Sequence, residues 1–494
     1  MIEGLKPYPE YKESGQEWLG KVPAHWSVLP NRALFDEVKD RDHPKEEMLS
    51  VTITRGIVRQ KALLDGSSKK DSSNLNKSAY KLVQPGDIAY NKMRAWQGAL
   101  GASTLRGIIS PAYVVVRPRK EANPWFYHNL YRTPSFAKEA ERWSYGITSD
   151  MWSLRPEHFK LIEAILPPPD EQAAIVRFLD HANRKIDGFI RAKRKLIGLL
   201  NEQNQAIIHR AVTGKDEIKM MKDENGHASF ILQPSTLPKK PSGIPWLGDI
   251  PMHWDVMQLR QILSFGPKNG VSPQAASGTG VLSFSISAVR GGRITIEGNE
   301  KVVELDSARI AGFRVHKGDI LLVRGNGNVA LVGKCGLVDA CPENCVYPDI
   351  LMKLRPNEKM NAEFMVLAIN SSYVTNQVST LAKTSNGAFK VSGATVRSIS
   401  MVVPPYAEQI RLIEEIGAET ATVTTAIART EREIALMQEY RTRLTADLVT
   451  GKLDVREAAA NLPETPSDSS DMADLSEMSE LSDESSDPTL EEEP

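Results

Sequence analysis

Apolar residues recur in alternating steps of three and four along two stretches of the chain. In the first, Val176, Leu179, Asn183, Ile186, Ile190, Lys193, Ile197, Leu200, Asn204 and Ile207 fall on one stripe. In the second, Ile413, Ile416, Thr420, Val423, Ile427, Thr430, Ile434, Met437, Arg441 and Leu444 occupy the same registers. That spacing predicts two long helices with coiled-coil seams, and polar residues set into a seam weaken it while fixing register and partner. Each stretch opens on a proline-rich turn, LPPPDEQ from Leu166 and VPPYAEQ from Val403, and closes on Val-Thr-Gly-Lys at 212–215 and 449–452. Glu171-Gln172 and Glu408-Gln409 lie 237 positions apart, as do Gly214 and Gly451, so the two stretches align without a gap. Equal length matters to few structures, and a helix pair lying side by side is one.

A second, denser repeat precedes each half. Ser14-Gly15, Trp18-Leu19-Gly20, Pro23 and His25-Trp26 return 228 residues later as Ser242-Gly243, Trp246-Leu247-Gly248, Pro251 and His253-Trp254. Tryptophans beside Gly and Pro predict an extended segment that pins a chain crossing against the helices or the next domain. His25 and His253 lack a Cys, Glu or second His at ligand spacing, which favours a structural role.

Between these repeats lie two heads with fainter kinship. Leu49–Thr54 answers to Leu282–Ser287 as an alternating strand pattern. Pro85-Gly86-Asp87-Ile88 answers to Lys317-Gly318-Asp319-Ile320, and Ser110-Pro111 with Arg117-Pro118 answers to Tyr347-Pro348 with Arg355-Pro356. Offsets drift between 232 and 238, as when loops change length while strands persist. Both heads read as one mixed α/β fold. A frame that repeats closely while its two heads diverge is the layout expected of a bipartite reader. A helix of about 40 residues spans ~60 Å, so heads near its ends could meet one face of a duplex one or two helical turns apart.

Length and charge sharpen this picture. A chain of 494 residues exceeds one core, so three or four folded units are expected. The formal charge of −1 conceals twelve acidic and no basic residues from Pro463 to Pro494, which leaves the rest of the chain at +11. A basic body is compatible with a polyanionic partner. The Ser, Asp and Glu-rich tail holds too little apolar surface to fold, and either stays solvated or competes with DNA for the basic face. No apolar run is long enough for a bilayer and no secretory signal opens the chain, so it is expected in the cytoplasm. Cys335, Cys341 and Cys345 are odd in number and close in sequence, against a disulfide framework. With His316 they lack the CxxC pairs of a zinc ribbon.

The repeated stretches YKESGQEWLGKVPAHW and SGIPWLGDIPMHW, LPPPDEQ, the paired VTGK endings and the Gly-Asp-Ile turns together resemble the specificity subunit of type I restriction–modification systems, over nearly the whole chain except the acidic tail. The resemblance implies two globular α/β target recognition domains separated by two long helices forming an antiparallel coiled coil, with an internal pseudo-twofold repeat. It divides the chain into an N-terminal repeat segment (1–28), recognition domain 1 (29–165), spacer helix 1 (166–215), a linker and repeat segment (216–256), recognition domain 2 (257–402), spacer helix 2 (403–456) and a disordered acidic tail (457–494). It also implies double-stranded DNA with an asymmetric split site, two methyltransferase (modification) subunits and motor/nuclease (restriction) subunits as partners. S-adenosylmethionine, ATP and magnesium are then expected on those partners and none on this chain.

Three near-motifs for catalysis each fall short. Val403-Pro404-Pro405-Tyr406 approaches the loop of amino-methyltransferases, but Val403 offers no side-chain acceptor to a target amino group. Gly327 to Cys335 approaches a phosphate-binding loop, with five residues rather than four between Gly327 and Gly333 and with Cys335 where Ser or Thr would ligate magnesium. Pro348-Asp349 with Lys353 suggests a nuclease core, yet Leu351 stands where a second metal-ligating carboxylate is needed. No catalytic or metal site is expected.

DNA contacts are expected from polar loops after each Gly-Asp-Ile strand. These are Lys92, Arg94 and Trp96 in the first head, and Arg324, Asn326 and Asn328 in the second. Lys92 aligns with Arg324 and Arg94 with Asn326, at an offset of 232. Arg reads guanine and Asn adenine through paired hydrogen bonds, while Lys more often holds phosphate. A second group precedes the long helices: Tyr145 and Thr148 in the first head, Lys383 and Asn386 in the second, beside glycines that allow close backbone approach. Arg55 and Arg59, with Arg290 and Arg293, follow the early strands as candidate backbone contacts. The run Arg191 to Lys195 faces the DNA spacer, a partner or solvent. Two other classes remain open: a self-contained DNA-modifying enzyme, and a coiled-coil scaffold that binds no nucleic acid.

Overall fold

The computed structural model describes residues 5–64, 77–146, 152–222, 228–272, 280–305, 307–342, 344–385 and 387–463; Thr148, Asn386 and the acidic stretch after Pro463 lie outside them. The chain divides into two compact units, Met1–Ala192 with Glu433–Pro494, and Lys193–Arg432. Each is a mixed α/β structure. The two long helices, Pro169–Val212 and Tyr406–Val449, each contribute a part to both units. Every position of both apolar stripes is buried or half-buried. Two of the polar interruptions are satisfied locally: Thr420 and Thr430 donate to the carbonyls of Ile416 and Ala426, one turn back. Arg441 forms an ion pair with Asp187 within the first unit.

In the first unit a four-stranded sheet has Phe35–Val38, Tyr113–Pro118, Ile88–Asn91 and Leu100–Ala102 side by side, all antiparallel. Helices Pro124–Tyr131 and Pro134–Arg142 supply Phe126, Tyr127, Leu130, Tyr131 and Phe136 to its core. That core also contains Ile175, Phe178, Leu179 and Ala182 from the start of the first long helix and Leu444, Leu448 and Val449 from the end of the second. In the second unit the same motif recurs as Leu263–Asn269, Leu351–Pro356, Ile320–Val323 and Cys335–Leu337, extended by Arg293–Ile294 and Val289–Arg290 to six strands. Its helices are Ala362–Asn370 and Ser372–Leu381. Its core joins Ala211 and Val212 from the end of the first long helix to Leu412 and Ile416 from the start of the second.

The sequence repeats find their cause in two matching clamps. In the first unit, Trp26 Nε1 donates to Glu171 at 2.9 Å, and His25 Nε2 lies 2.7 Å from the same carboxylate. Trp26 is fully buried, and its ring with Pro23 lies against Gly451. In the second unit, Trp254 Nε1 and His253 Nε2 reach Glu408 at 3.2 and 2.9 Å, and Pro251 and Trp254 lie against Gly214. Each Pro-x-His-Trp segment therefore ties the start of one long helix to the end of the other within its unit. Gln172 and Gln409 lock the turns beside them. Each accepts a backbone N–H, from Asn123 or Asn361, and donates to two carbonyls, those of Glu121 and Pro167 or of Lys359 and Pro404.

The Gly-Asp-Ile turns and the Arg-Pro strand ends also prove to be one device. Asp87, buried, receives Arg117 through Nε at 2.7 Å and Nη2 at 2.9 Å, and Asp319 receives Arg355 through Nε at 2.8 Å and Nη2 at 2.6 Å. The second carboxylate oxygen of each caps its own turn, at Gln84 N and His316 N.

Two stretches differ from the expected division. Within 216–256, read as linker and repeat segment, Asp216–Lys222 and Ala228–Pro234 pair as strands. The helix Arg456–Ala460 extends into the stretch read as tail, because Val455 and Ala459 are buried in the first unit's core and Arg177 holds the carbonyl of Leu462 at 2.8 Å. Among the described residues no helix is long and apolar enough to cross a membrane.

Candidate nucleic-acid interface

In the first unit the strand Ile88–Asn91 ends in a turn where the Asn91 side chain accepts from Met93 N at 3.0 Å. The backbone then presents Lys92, Met93 and Arg94 and closes a short helix, Ala95–Gln97. The Lys92 carbonyl accepts from Leu154 N at 2.8 Å, Trp96 packs edge-on against Trp152 at 5.7 Å, and Tyr145 pairs with Ser153. The two predicted segments of this head, around 92–96 and around 145, thus converge through residues 152–154. Tyr145 is 59% exposed and rests against His158 at 5.1 Å. Arg94 reaches Gln97 at 3.4 Å, and Trp96 Nε1 donates to the Met93 carbonyl.

The turn bearing Arg55 is held by a residue that sequence reasoning missed. Arg132 donates to the carbonyls of Ile53, Thr54 and Leu100 at 2.8, 2.6 and 2.8 Å, drawing the hairpin turn to the strand beside the Lys92 loop. Five rigid donors suit Arg to such a cluster of carbonyls. Burial and the Arg132 charge together push the neighbouring His128 imidazole down to about 3, so His128 is neutral and accepts from Ala102 N at 3.1 Å. Arg55 N donates to the Thr52 hydroxyl, and Arg59 pairs with Glu47 at 3.0 Å. Burial, then the charge of Lys92, lowers the Lys81 ammonium.

In the second unit the strand Ile320–Val323 leads into Gly325–Asn326, which pairs with Ala388–Lys390, itself paired with Lys383–Ser385. Parts of the two predicted segments, Gly325–Asn326 and Lys383–Ser385, are brought into one three-stranded sheet by Ala388–Lys390. Residues opposite each other across antiparallel strands share a face. Asn326, Phe389 and Thr384 therefore lie on one face, and Gly325, Lys390 and Lys383 on the other. Phe389 packs on the core. Asn326 and Asn328 accept backbone N–H groups of Asn328 and Ala330, and Arg324 Nη1 approaches the Asp349 carbonyl at 3.4 Å. Arg293 is neutralised by Asp339 and Glu363, whereas Arg290 is exposed on the same hairpin. The short helices Ala95–Gln97 and Val329–Leu331 are offset by 234, so the second loop has gained two residues over the strand offset of 232.

Among the described residues no group of three His, Cys, Asp or Glu side chains could hold a metal ion. Burial pushes the Cys345 thiol up to about 12 and also raises Cys335, leaving two thiols with little thiolate character at neutral pH.

No protein-family model matches the chain. It is 24% identical over 462 residues to the type I restriction enzyme EcoKI specificity subunit of Escherichia coli (strain K12), spanning 88% of this chain and 94% of that one. Identity is 21% over 468 residues to the StySPI specificity subunit of Salmonella potsdam, with coverage of 88% and 94%. A chain from a structural study of complex assembly and conformational transition in the type I R-M system superposes with a TM-score of 0.54 at 14% identity, over 87% of this chain and 98% of that one. The likeness extends across both units. The chain is a homologue of type I restriction enzyme specificity subunits.

Proposed function

We propose that this protein is the non-catalytic DNA sequence-specificity subunit of a type I restriction–modification complex. Two recognition domains bind the halves of a split, asymmetric DNA target, and the long helices run antiparallel as a coiled coil that spaces the domains and docks the methyltransferase subunits. S-adenosylmethionine, ATP and magnesium belong to the modification and restriction subunits. The observation that carries this reading is nearly whole-length similarity to specificity subunits in a chain whose two halves repeat one frame under divergent loops. Shared cores at opposite ends of the two helices, in one unit Phe178 with Leu448 and in the other Val212 with Leu412, support the antiparallel arrangement. Apolar side chains left exposed on the helices, Leu196 and Leu199 on the first and Leu436 and Tyr440 on the second, support a docked partner.

The test is co-expression with a modification subunit followed by mapping of methylated adenines. One split motif is expected. A complex with no sequence preference, or methyl transfer by the purified chain alone, overturns the reading, the latter in favour of a self-contained enzyme.

A further inference from the structure

We propose that Lys383 and Lys390 form a cross-strand phosphate clamp on the outer face of the sheet Gly325–Asn326, Ala388–Lys390 and Lys383–Ser385, gripping the backbone of duplex DNA. The two lysines are direct partners in the antiparallel register, and both are exposed. Like charges placed opposite each other destabilise a strand pair. Neither lysine has a carboxylate partner among the described residues, so no described ion pair offsets that repulsion.

Geometry fixes where the charge points. Lys390 also faces Gly325 across the other strand pair, and a Cβ on Gly325 would lie 2.9 Å from Lys390 Cγ and 3.2 Å from the Phe389 carbonyl. The lysine stem lies across the glycine, and a side chain there would push it off. On the opposite face Phe389 is packed on the core, while Asn326 and Arg324 make hydrogen bonds to the backbone of their own unit. The sheet thus has an anchored inner face and a cationic outer face. Gly387, with φ 76°, precedes the strand Ala388–Lys390, which pairs in register with Lys383–Ser385. An ammonium group is a compact point charge without the planar paired donors that read base edges, so the two lysines suit phosphate oxygens. This clamp rests on the DNA-binding reading above and deepens it.

The experiment uses the full chain co-purified with its modification subunit and a mixed-sequence duplex, with binding measured across a salt series. Replacing both lysines by Gln should reduce the slope of log K against log salt by about 1.8, from about 0.9 per phosphate contact. Between about 50 and 200 mM salt, the unaltered complex should therefore lose about 12-fold more affinity than the double variant. Target-site and mixed-sequence DNA should weaken alike, because phosphate contacts carry no base information. In the free chain, Lys390→Gln should raise the unfolding midpoint by about 1–2 °C as the repulsion is relieved. Lys317→Gln, at the far end of the strand Ile320–Val323, is the control and should leave the slope unchanged. A slope equal to that of the unaltered complex overturns the clamp while leaving the functional reading standing, as does a Lys390→Gln variant that loses stability and DNA binding together. An unaltered complex that binds no duplex at all overturns both.

Discussion

Gly451→Ala tests the clamp that ties the second long helix to the N-terminal segment. Gly451 has φ 76°, and a Cβ there would lie 2.4 and 2.7 Å from Pro23 Cδ and Cγ and 2.8 Å from Trp26 Cζ3. Left-handed backbone costs an L-residue ~1–2 kcal/mol, and forcing a methyl group into packed ring atoms adds about 1–3 kcal/mol. With a central value of ~3 kcal/mol, a folded unit of this size should melt about 6–12 °C lower. Gly214→Ala should act on the second unit in the same way, since its Cβ would lie 2.2 and 2.6 Å from Pro251 Cδ and Cγ and 3.1 Å from Trp254 Cζ3. Scanning calorimetry of the full chain reads both effects. Pro23→Ala removes the two nearest clashing atoms, so Gly451→Ala combined with Pro23→Ala should be less destabilised than the two single changes added, a coupling that independent sites do not show. A Gly451→Ala protein melting within about 1 °C of the unaltered chain, as a surface substitution does, would refute the reasoning.

Glu171 accepts from Tyr8, Trp26 and Arg456 as well as facing His25, whereas the more exposed Glu408 has, among the described residues, His253 and Trp254 as side-chain partners, so Glu171→Gln should cost more stability than Glu408→Gln in urea titrations; the reverse order would contradict the burial difference. Asp87→Asn and Asp319→Asn each remove a charge-assisted pair with Arg117 or Arg355 and should destabilise their units by about 2–3 kcal/mol, read by the same titrations, with equal midpoints for variant and unaltered chain as the refuting result. His128 is neutral when folded because its imidazole is held down to about 3, below the unfolded value near 6.5, so the unfolded chain binds the extra proton between those limits. Its contribution is complete above pH ~6.5 and falls by about 1.4 kcal/mol per unit as pH drops through that window; His128→Gln should flatten the pH dependence of the first unit's unfolding, and an unchanged slope would exclude His128 as its source.

Much of this protein was written in local pattern. The stripes from Val176 to Ile207 and from Ile413 to Leu444 specified two long helices because a period of three and four residues is a property of one helix face, readable without knowing what covers it. The duplication of frame and heads was legible for the same reason, as spacing survives in a single chain. The meaning of the repeated short motifs was not. Nothing in the sequence says that Glu171 belongs with Trp26, that Gly451 must be bare because Pro23 lies on it, or that Asp87 and Arg117 form a pair, since those partners are separated by long stretches of chain and meet only through packing. The candidate interface divides along the same line. Polar residues after each Gly-Asp-Ile strand could be picked by type, but strand register alone decided that Asn326 turns toward the core side with Phe389 while Lys383 faces outward beside Lys390. Side-chain direction in a sheet is set by pairing with a neighbouring strand, and pairing is a property of the folded chain rather than of any one segment.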